Sequence, residues 1–234
     1  MISKDHHGQV QDWQVDAYAM VTAIGNSNLV AHASKGYELF SGKDFYKKQL
    51  SVNGATEWLS WLSGEASVTK SDAVNYSPAK GLDAFLGDAR SLSASLVFKP
   101  HAQWRVEETL FVNDLRTKNL VANQGRGTLV YRDLIARTKM TYQHNRFLGV
   151  RLVLDYDYLK TNAQLNELKP GKRLNSDLQL SYVLSPGTSF YTGFSDRQEN
   201  IILTGNPSQI QSTDDLNLHT GRRFFAKLSY LFQL

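Results

Sequence analysis

Two histidines, His6 and His7, follow Asp5 near the start of the sequence, and all three residue types can bind metal ions. Adjacent histidines lack the i, i+4 or alternating spacing that directs two imidazole rings at one ion. The chain has no cysteine, which excludes disulfides, thiolate metal sites and cysteine nucleophiles. The sequence therefore predicts a polar terminus here, no metal site and no cofactor.

Two further patterns resemble parts of enzyme sites. Gly125-Arg126-Gly127 could bind phosphate, but such a loop needs a following helix, and the residues after it alternate as a strand does. No serine lies in a Gly-x-Ser-x-Gly turn, and neither His144 nor His219 has an evident serine partner. We predict a flexible loop at residues 125–127, name no catalytic residue, and do not expect an enzyme.

A set of charged residues shares the polar face of successive predicted strands. Its members are Arg105, Glu107, Arg137, Lys139, Arg151, Asp155, Asp157 and Lys227. Such residues can line a solute path or form a selectivity ring. A polar barrel interior filled by cross-strand ion pairs would give the same pattern. Either interpretation requires strands with one polar and one apolar face.

Alternation of apolar and polar residues supplies those strands. In FLGVRLVLDYDYLK, positions 148, 150, 152, 154, 156 and 158 are apolar or aromatic, and Arg151, Asp155 and Asp157 fall at odd positions. A helix would scatter the leucines, whereas a strand separates the two sets. About eleven strands are predicted in this way. They lie near 10–22, 28–36, 43–57, 60–70, 89–99, 102–115, 128–143, 147–160, 175–185, 188–202 and 222–234.

The connectors alternate in length from about residue 60 onward. KPHA, QHNR and SPGT are tight turns, whereas the connectors between them are long and polar. A transmembrane barrel has short periplasmic turns and long outer loops. A tilted strand crosses the hydrocarbon with about 9–11 residues. The pattern favours an all-β, antiparallel transmembrane β-barrel.

Other membrane and nucleic-acid classes are disfavoured. The longest uncharged stretch, Ala17–Ser34, contains too many polar residues for a spanning helix. The start of the chain lacks the apolar core of a secretory signal peptide. The net charge is +4, but the basic residues are spread along the whole chain, so we expect no nucleic-acid partner.

Three motifs in order carry a family resemblance: TKMTYQHNRFLGVRLVLDYD, DLQLSYVLSPGTSFYTGFSDR and TGRRFFAKLSYLFQL. Together they resemble the C-terminal outer-membrane β-barrel domain of a bacterial family of unknown function. Its members usually carry an N-terminal family-9-like carbohydrate-binding module. The resemblance covers about half the chain, from Leu115 to Leu234. It implies an outer-membrane location in a Gram-negative bacterium.

The last strand is similar to the signal that the barrel-assembly machinery recognises. Such signals alternate apolar residues and end in an aromatic residue at or near the C-terminus. In this chain the matching residues are Leu228, Tyr230, Phe232 and Leu234. The terminal leucine departs from the more common phenylalanine, which puts the efficiency of assembly in question. The resemblance thus implies two partners, the assembly machinery and outer-membrane lipid.

The resemblance also sets expectations for the whole chain. Residues 1–234 would form one barrel domain, a C-terminal fragment without signal peptide or carbohydrate module. Eleven strands would leave the chain ends on opposite membrane sides, so we expect a missing strand in a larger even-stranded barrel. A miscount by one removes that argument. The expected role is a passive pathway or an envelope component, with glycan handled through the missing module.

One alternative from a different class remains open at this stage. A soluble β-sandwich that binds glycans would show the same alternation. The aromatic residues, among them Trp58, Trp61, Trp104 and Tyr182, would then stack on sugars rather than sit at a membrane interface. The sandwich predicts that the apolar faces of two sheets meet in a core.

Overall fold

The computed structural model describes residues 2–185, 187–205 and 209–231, and these residues form fourteen β-strands. The strands are β1 (Ile2–Lys4), β2 (Val10–Ala23), β3 (Ser27–Phe40), β4 (Lys43–Leu59), β5 (Leu62–Asn75), β6 (Phe85–His101), β7 (Trp104–Thr117), β8 (Leu129–Gln143), β9 (Leu148–Thr161), β10 (Gly171–Ser185), β11 (Thr188–Glu199), β12 (Ile201–Thr204), β13 (Gln209–Ser212) and β14 (Leu218–Ser229). No described segment is a helix of the length and apolarity that crossing a membrane requires.

Twelve of the strands make one antiparallel sheet in the order β1 to β11 followed by β14. Each strand pairs with the next along the chain, and β12 and β13 form a separate hairpin between β11 and β14. The prediction of an all-β antiparallel sheet is therefore confirmed. Over the described residues β1 does not pair with β14, so the sheet is open and the predicted closure into a barrel is not confirmed.

All eleven predicted strands correspond to strands of this sheet, namely β2 to β11 and β14. The count was wrong by one, because β1 pairs with β2 through Ile2 and Trp13 and makes a twelfth strand. The expectation of a missing strand rested on an odd number of strands, but the observed number, twelve, is even. The predicted strand 188–202 is also wrong at its end. The β11 strand stops at Glu199, and β12 begins after Asn200.

The register forms an apolar band across the width of one face of the sheet. A row of directly opposed residues crosses eight strands without a polar member: Leu62, Phe98, Val106, Met140, Leu152, Leu178, Phe194 and Phe224. We call this surface the apolar face and the opposite surface the polar face. None of the eight residues of this row is buried, and Leu178 is 48% exposed. The next row of the apolar face, toward the long connectors, holds Glu108, Asp196 and Arg222.

The connectors differ between the two ends of the strands. At one end, the turn end, the connectors after β4, β6, β8 and β10 have two to four residues. At the other, the loop end, the connectors after β5, β7, β9 and β11 cover residues 76–84, 118–128, 162–170 and 200–217. The short and long connectors thus alternate as predicted. The loop end also holds one tight turn, Ser41-Gly42, in which both residues have positive φ as a type I′ hairpin requires.

Of the two small buried clusters in the described residues, the one around Leu165 lies at the loop end, on the polar face. Leu165, from the connector after β9, is fully buried against Ala89, Leu115 and Val130. Ala89 and Leu115 are directly opposite each other on β6 and β7. The connector therefore folds back over the polar face instead of extending away from the sheet.

Candidate functional site

The polar face of β7 to β10 carries a ladder of ion pairs. Glu107 accepts hydrogen bonds of 2.9 Å from Arg105 Nε and from Lys139 Nζ. Glu107 and Lys139 are directly opposite on β7 and β8. A carboxylate between two cations is well compensated, so this group stabilises the ladder without leaving a free acid.

Two arginine–aspartate pairs continue the ladder, and the first of them is forked. Arg137 contacts both oxygens of Asp155, its direct partner on β9, and its Nη2 lies 2.9 Å from Oδ2. Arg173 donates from Nε to Asp157 Oδ2 at 2.8 Å, again across directly paired positions. The Arg137 guanidinium thus binds its carboxylate with two parallel bonds, whereas Arg173 directs both of its donors at one oxygen of Asp157. Arg173 was missed because β10 was predicted to begin at residue 175.

The structure thus brings together six of the eight predicted charges and separates the other two. Arg151 lies opposite Thr141 and Gln179, and Lys227 lies opposite Tyr191. Both side chains are exposed, and neither has an acidic partner in the described part of the chain. They leave an excess of positive charge toward the turn end of the polar face.

A cleft of about 410 Å³ opens where the ladder reaches the loop end. Its lining includes Asp133, Asp157, Arg173 and Glu199, so carboxylates and a guanidinium group face the same space. Asp157 is held by Arg173, and Glu199 by Arg197, whose Nη2 lies 2.6 Å from Oε1. Asp133 makes no ion pair in the described part of the chain, and it can bind a cationic or hydroxyl group of a solute.

A serine, a histidine and an aspartate lie together on the polar face of β2 to β4. His32 Nε2 is 2.8 Å from Asp16 Oδ1, and its Nδ1 is 3.5 Å from Ser51 Oγ. The Tyr18 ring stacks on the imidazole at 4.4 Å. Proton transfer from serine needs about 2.6–3.2 Å, so here the hydroxyl makes only a weak polar contact. Sequence reasoning missed this cluster because its members come from three strands.

The other predicted motifs have structural roles. The Asp5 carboxylate accepts the backbone N–H groups of His7 and Gln9 at 2.9 and 2.8 Å, which closes the turn between β1 and β2. Just before β8, the Gly125 carbonyl oxygen accepts hydrogen bonds from the hydroxyls of Thr117 and Thr128, at 2.6 and 2.8 Å. No described group of three His, Cys, Asp or Glu residues has the arrangement of a metal site.

Only part of the predicted assembly signal can be placed. Leu228 lies on the apolar face of β14, opposite Phe190, and is 74% exposed. Tyr230 is exposed just beyond the end of β14. Phe232 and Leu234 lie outside the described residues. The two residues that can be placed are thus accessible to a partner.

Aromatic rings cluster on the apolar face near the turn end. Trp104 and Tyr142 are directly opposite, with ring centroids 4.6 Å apart. Trp61 contacts Phe98 edge to face at 5.9 Å. Indole and phenol rings favour the boundary between apolar and aqueous surroundings, because the ring is apolar and its polar atom stays hydrated.

The functional interpretation rests on the two faces of the sheet rather than on comparisons with known proteins. No protein-family model matches the chain, and a search of curated proteins finds no match either. The two properties that a functional hypothesis must explain are the accessible apolar face and the paired charges of the polar face.

Proposed function

We propose that the chain is an outer-membrane β-barrel protein of a Gram-negative bacterium, whose apolar face contacts lipid and whose polar face lines the interior. The observation that carries this proposal is the row of eight apolar residues from Leu62 to Phe224, none of which is buried. Monomeric soluble proteins rarely expose contiguous apolar surface on this scale. An apolar surface of this size is compatible with lipid as its surroundings.

Strand length and connector asymmetry support the same proposal. The strands from β2 to β11 have 12 to 17 residues, enough to cross a hydrocarbon layer that needs about 9–11 tilted residues. Connectors are short at the turn end and long at the loop end. In outer-membrane barrels the long loops face outward. The loop end would therefore be extracellular.

In this proposal the interior is a restricted passive pathway or a structural wall of the envelope. The ion pairs around Glu107, Asp155 and Asp157 would fill the interior, and Arg151 and Lys227 would face it. The connector that carries Leu165 folds over the polar face and would narrow the outer mouth. A role in glycan handling would come through the carbohydrate module that the family resemblance implies. The soluble sandwich would require a second sheet over the apolar face, and the only other sheet of the described residues is the two-stranded hairpin of β12 and β13.

Two adjacent substitutions test the proposal because they place arginine on opposite faces. L178R puts a charge into the proposed lipid layer, whereas Q179R puts it into the proposed interior. Arginine at the bilayer midplane costs a barrel about 2–4 kcal/mol. In the proposed interior, Q179R faces water and the exposed Arg151 directly opposite, and cross-strand pairs contribute only about 0.2–1 kcal/mol. We expect Q179R to fold into phosphatidylcholine vesicles like the unchanged protein and L178R to lose most of that yield.

The same two variants also distinguish a membrane protein from a soluble one. Leu178 is already half exposed, so arginine there would be harmless in water. The proposal is wrong if the unchanged chain folds as a monomer without detergent or lipid and L178R is as stable as Q179R.

A further inference from the structure

We propose that the apolar face carries a specific binding site for a lipid with a phosphorylated head group, formed by a basic cluster and an adjacent apolar groove. The basic cluster consists of Lys35, Lys48, Lys70 and Arg90, on β3 to β6. The apolar groove is a cleft on the apolar face of β4 to β6. The inference rests on the proposed membrane location and assigns it a ligand chemistry.

The register opposes like charges in the basic cluster. Lys35 is directly opposite Lys48, and Lys70 is directly opposite Arg90. Like charges at directly opposed positions destabilise a sheet. An anion bound between them would relieve this repulsion. All four side chains are exposed, and none has an ion-pair partner in the described part of the chain.

The neighbouring carboxylates do not neutralise the basic cluster. Asp72 is paired with Lys118, and its second oxygen accepts the backbone N–H of Lys48 at 3.1 Å. Asp114, opposite Arg90, is held by Arg132 at 2.6 Å. Asp88 lies two positions before Arg90 on the same face and is the one nearby acid without an ion pair in the described part of the chain. An excess of positive charge remains, and phosphate is the anion class that several Lys and Arg side chains bind together.

The basic cluster lies where the apolar face meets the loop end. Leu50 is directly opposite Lys70, and the next residues toward the turn end on this face are Val52, Val68 and Leu92. In the proposed barrel these cations would stand at the outer boundary of the hydrocarbon. Lipid phosphates lie at that depth, so charge and position select a lipid head group over a phosphate in bulk water.

The apolar groove continues along the same strands. It has a volume of about 780 Å³, and its lining includes Gly54, Ala66 and Ala94 at its base and Trp58 and Leu96 beside them. Ala66 and Ala94 are directly opposite, and Gly54 is opposite Ala66. Small residues make a depression that bulkier neighbours border. Ala66 is four residues from Lys70, about 13 Å along an extended strand. An acyl chain that begins at the basic cluster would therefore run into the groove.

Quenching of Trp58 tests the proposal, because bromine atoms on an acyl chain in the groove would lie against its ring. The full chain is folded into phosphatidylcholine vesicles that contain either brominated phosphatidic acid or brominated diacylglycerol, which has the same chains and no phosphate. The signal of Trp58 is the difference between the unchanged protein and W58F. We expect half-maximal quenching at a mole fraction of phosphatidic acid on the order of tenfold below that of diacylglycerol.

Variants test separately whether the basic cluster and the apolar groove cause the preferential quenching by phosphatidic acid. K70Q/R90Q should abolish the preference for phosphatidic acid, since each cation near an anionic surface contributes about fivefold. K80Q/R126Q removes the same charge from exposed loop-end positions outside the basic cluster and should keep the preference. A94L, which fills the groove, should weaken quenching by both lipids.

The outcomes separate this inference from the proposed function. If brominated phosphatidylcholine does not quench any tryptophan, the chain is not in the bilayer and the proposed function fails. If it does, but phosphatidic acid and diacylglycerol quench Trp58 equally, the chain is a membrane protein without this site. Full competition by inorganic phosphate would make the basic cluster a site for free phosphate and would overturn the assignment to lipid.

Discussion

The Asn166 side chain donates a 3.2 Å hydrogen bond to Asn75 Oδ1, across 91 positions of the sequence. Both residues are only 2% exposed. Asn75 in turn donates from Nδ2 to the carbonyl oxygen of Leu165 at 2.9 Å. The end of β5 is thereby joined to the connector between β9 and β10. This contact and the burial of Leu165 hold that connector over the polar face.

Removing the Asn166 amide should release the connector. N166A leaves Asn75 without one of its buried partners, and such a loss costs about 1–3 kcal/mol. We expect a lower free energy of unfolding and faster proteolysis between residues 162 and 170. Q164A, on the same connector but exposed, is the control and should change stability by less than about 0.5 kcal/mol. Equal proteolysis of the two variants would contradict this account of the connector.

Two polar-face glycines should differ in their tolerance of a methyl group. A Cβ at Gly193 would lie 2.6 Å from the Phe225 ring and 2.6 Å from the Leu178 carbonyl oxygen. A Cβ at Gly149 would meet the movable side-chain atoms of Gln143 and Ser181 at 3.0 and 3.1 Å. We expect G193A to lower the free energy of unfolding by about 1–3 kcal/mol and G149A to change it little. Denaturant titration in micelles measures both free energies of unfolding. A loss for G193A as small as that for G149A would show that the Phe225 ring and the Leu178 carbonyl group move aside.

The Arg137–Asp155 pair should show a small, measurable coupling. Its carboxylate is mostly covered, but the arginine is more than half exposed, so solvent screens the attraction. A double-mutant cycle with R137A and D155A should give about 0.2–1 kcal/mol. The cycle with R151A and Q179A, which lie directly opposite without an ion pair, is the control and should give none. A coupling as large in the control cycle would mean that the forked contact is not its source.

Alkaline pH should loosen the contact between the loop end and β3. Partial burial of Tyr76, whose side chain is still half exposed, together with its hydrogen bonds of 2.7 and 2.8 Å to the Glu38 carboxylate, raises the pKa of Tyr76 to about 12. The stability that this proton provides is complete below about pH 10, the unfolded value, and is lost as pH rises through about 12. The absorbance difference at the phenolate band between the unchanged protein and Y76F should therefore titrate near pH 12. A midpoint near 10 would show that the hydrogen bonds do not form in solution.

The strands could be predicted because each one carries its own signal. Alternation within β9 or β10 is set by one face meeting apolar and the other polar surroundings, so a single sequence window reveals it. The short β1 lies in a segment without alternation, and β12 is the continuous apolar run Ile201-Ile202-Leu203. Such segments are too short or too uniform for periodicity to locate them.

The loop-end contacts could not be predicted from the sequence. Leu165 lies in a mostly polar connector without periodicity, and nothing near it indicates that it meets Leu115 on a strand 50 positions earlier in the numbering. The pairing of Asp157 with Arg173 likewise depended on where β10 begins. The basic cluster becomes visible only when the register aligns Lys35 with Lys48 and Lys70 with Arg90. These features depend on distance in space, which a window along the chain does not measure.

The unequal connectors make the molecule a directional scaffold. Ala122 and Asn123 form an exposed tip with positive φ between β7 and β8, and Gly25 and Asn26 form another between β2 and β3 at the opposite end. A peptide epitope grafted at the first tip and another at the second would be displayed at opposite poles of every strand. Antibodies against the two grafts would therefore report which pole an intact cell presents to its surroundings.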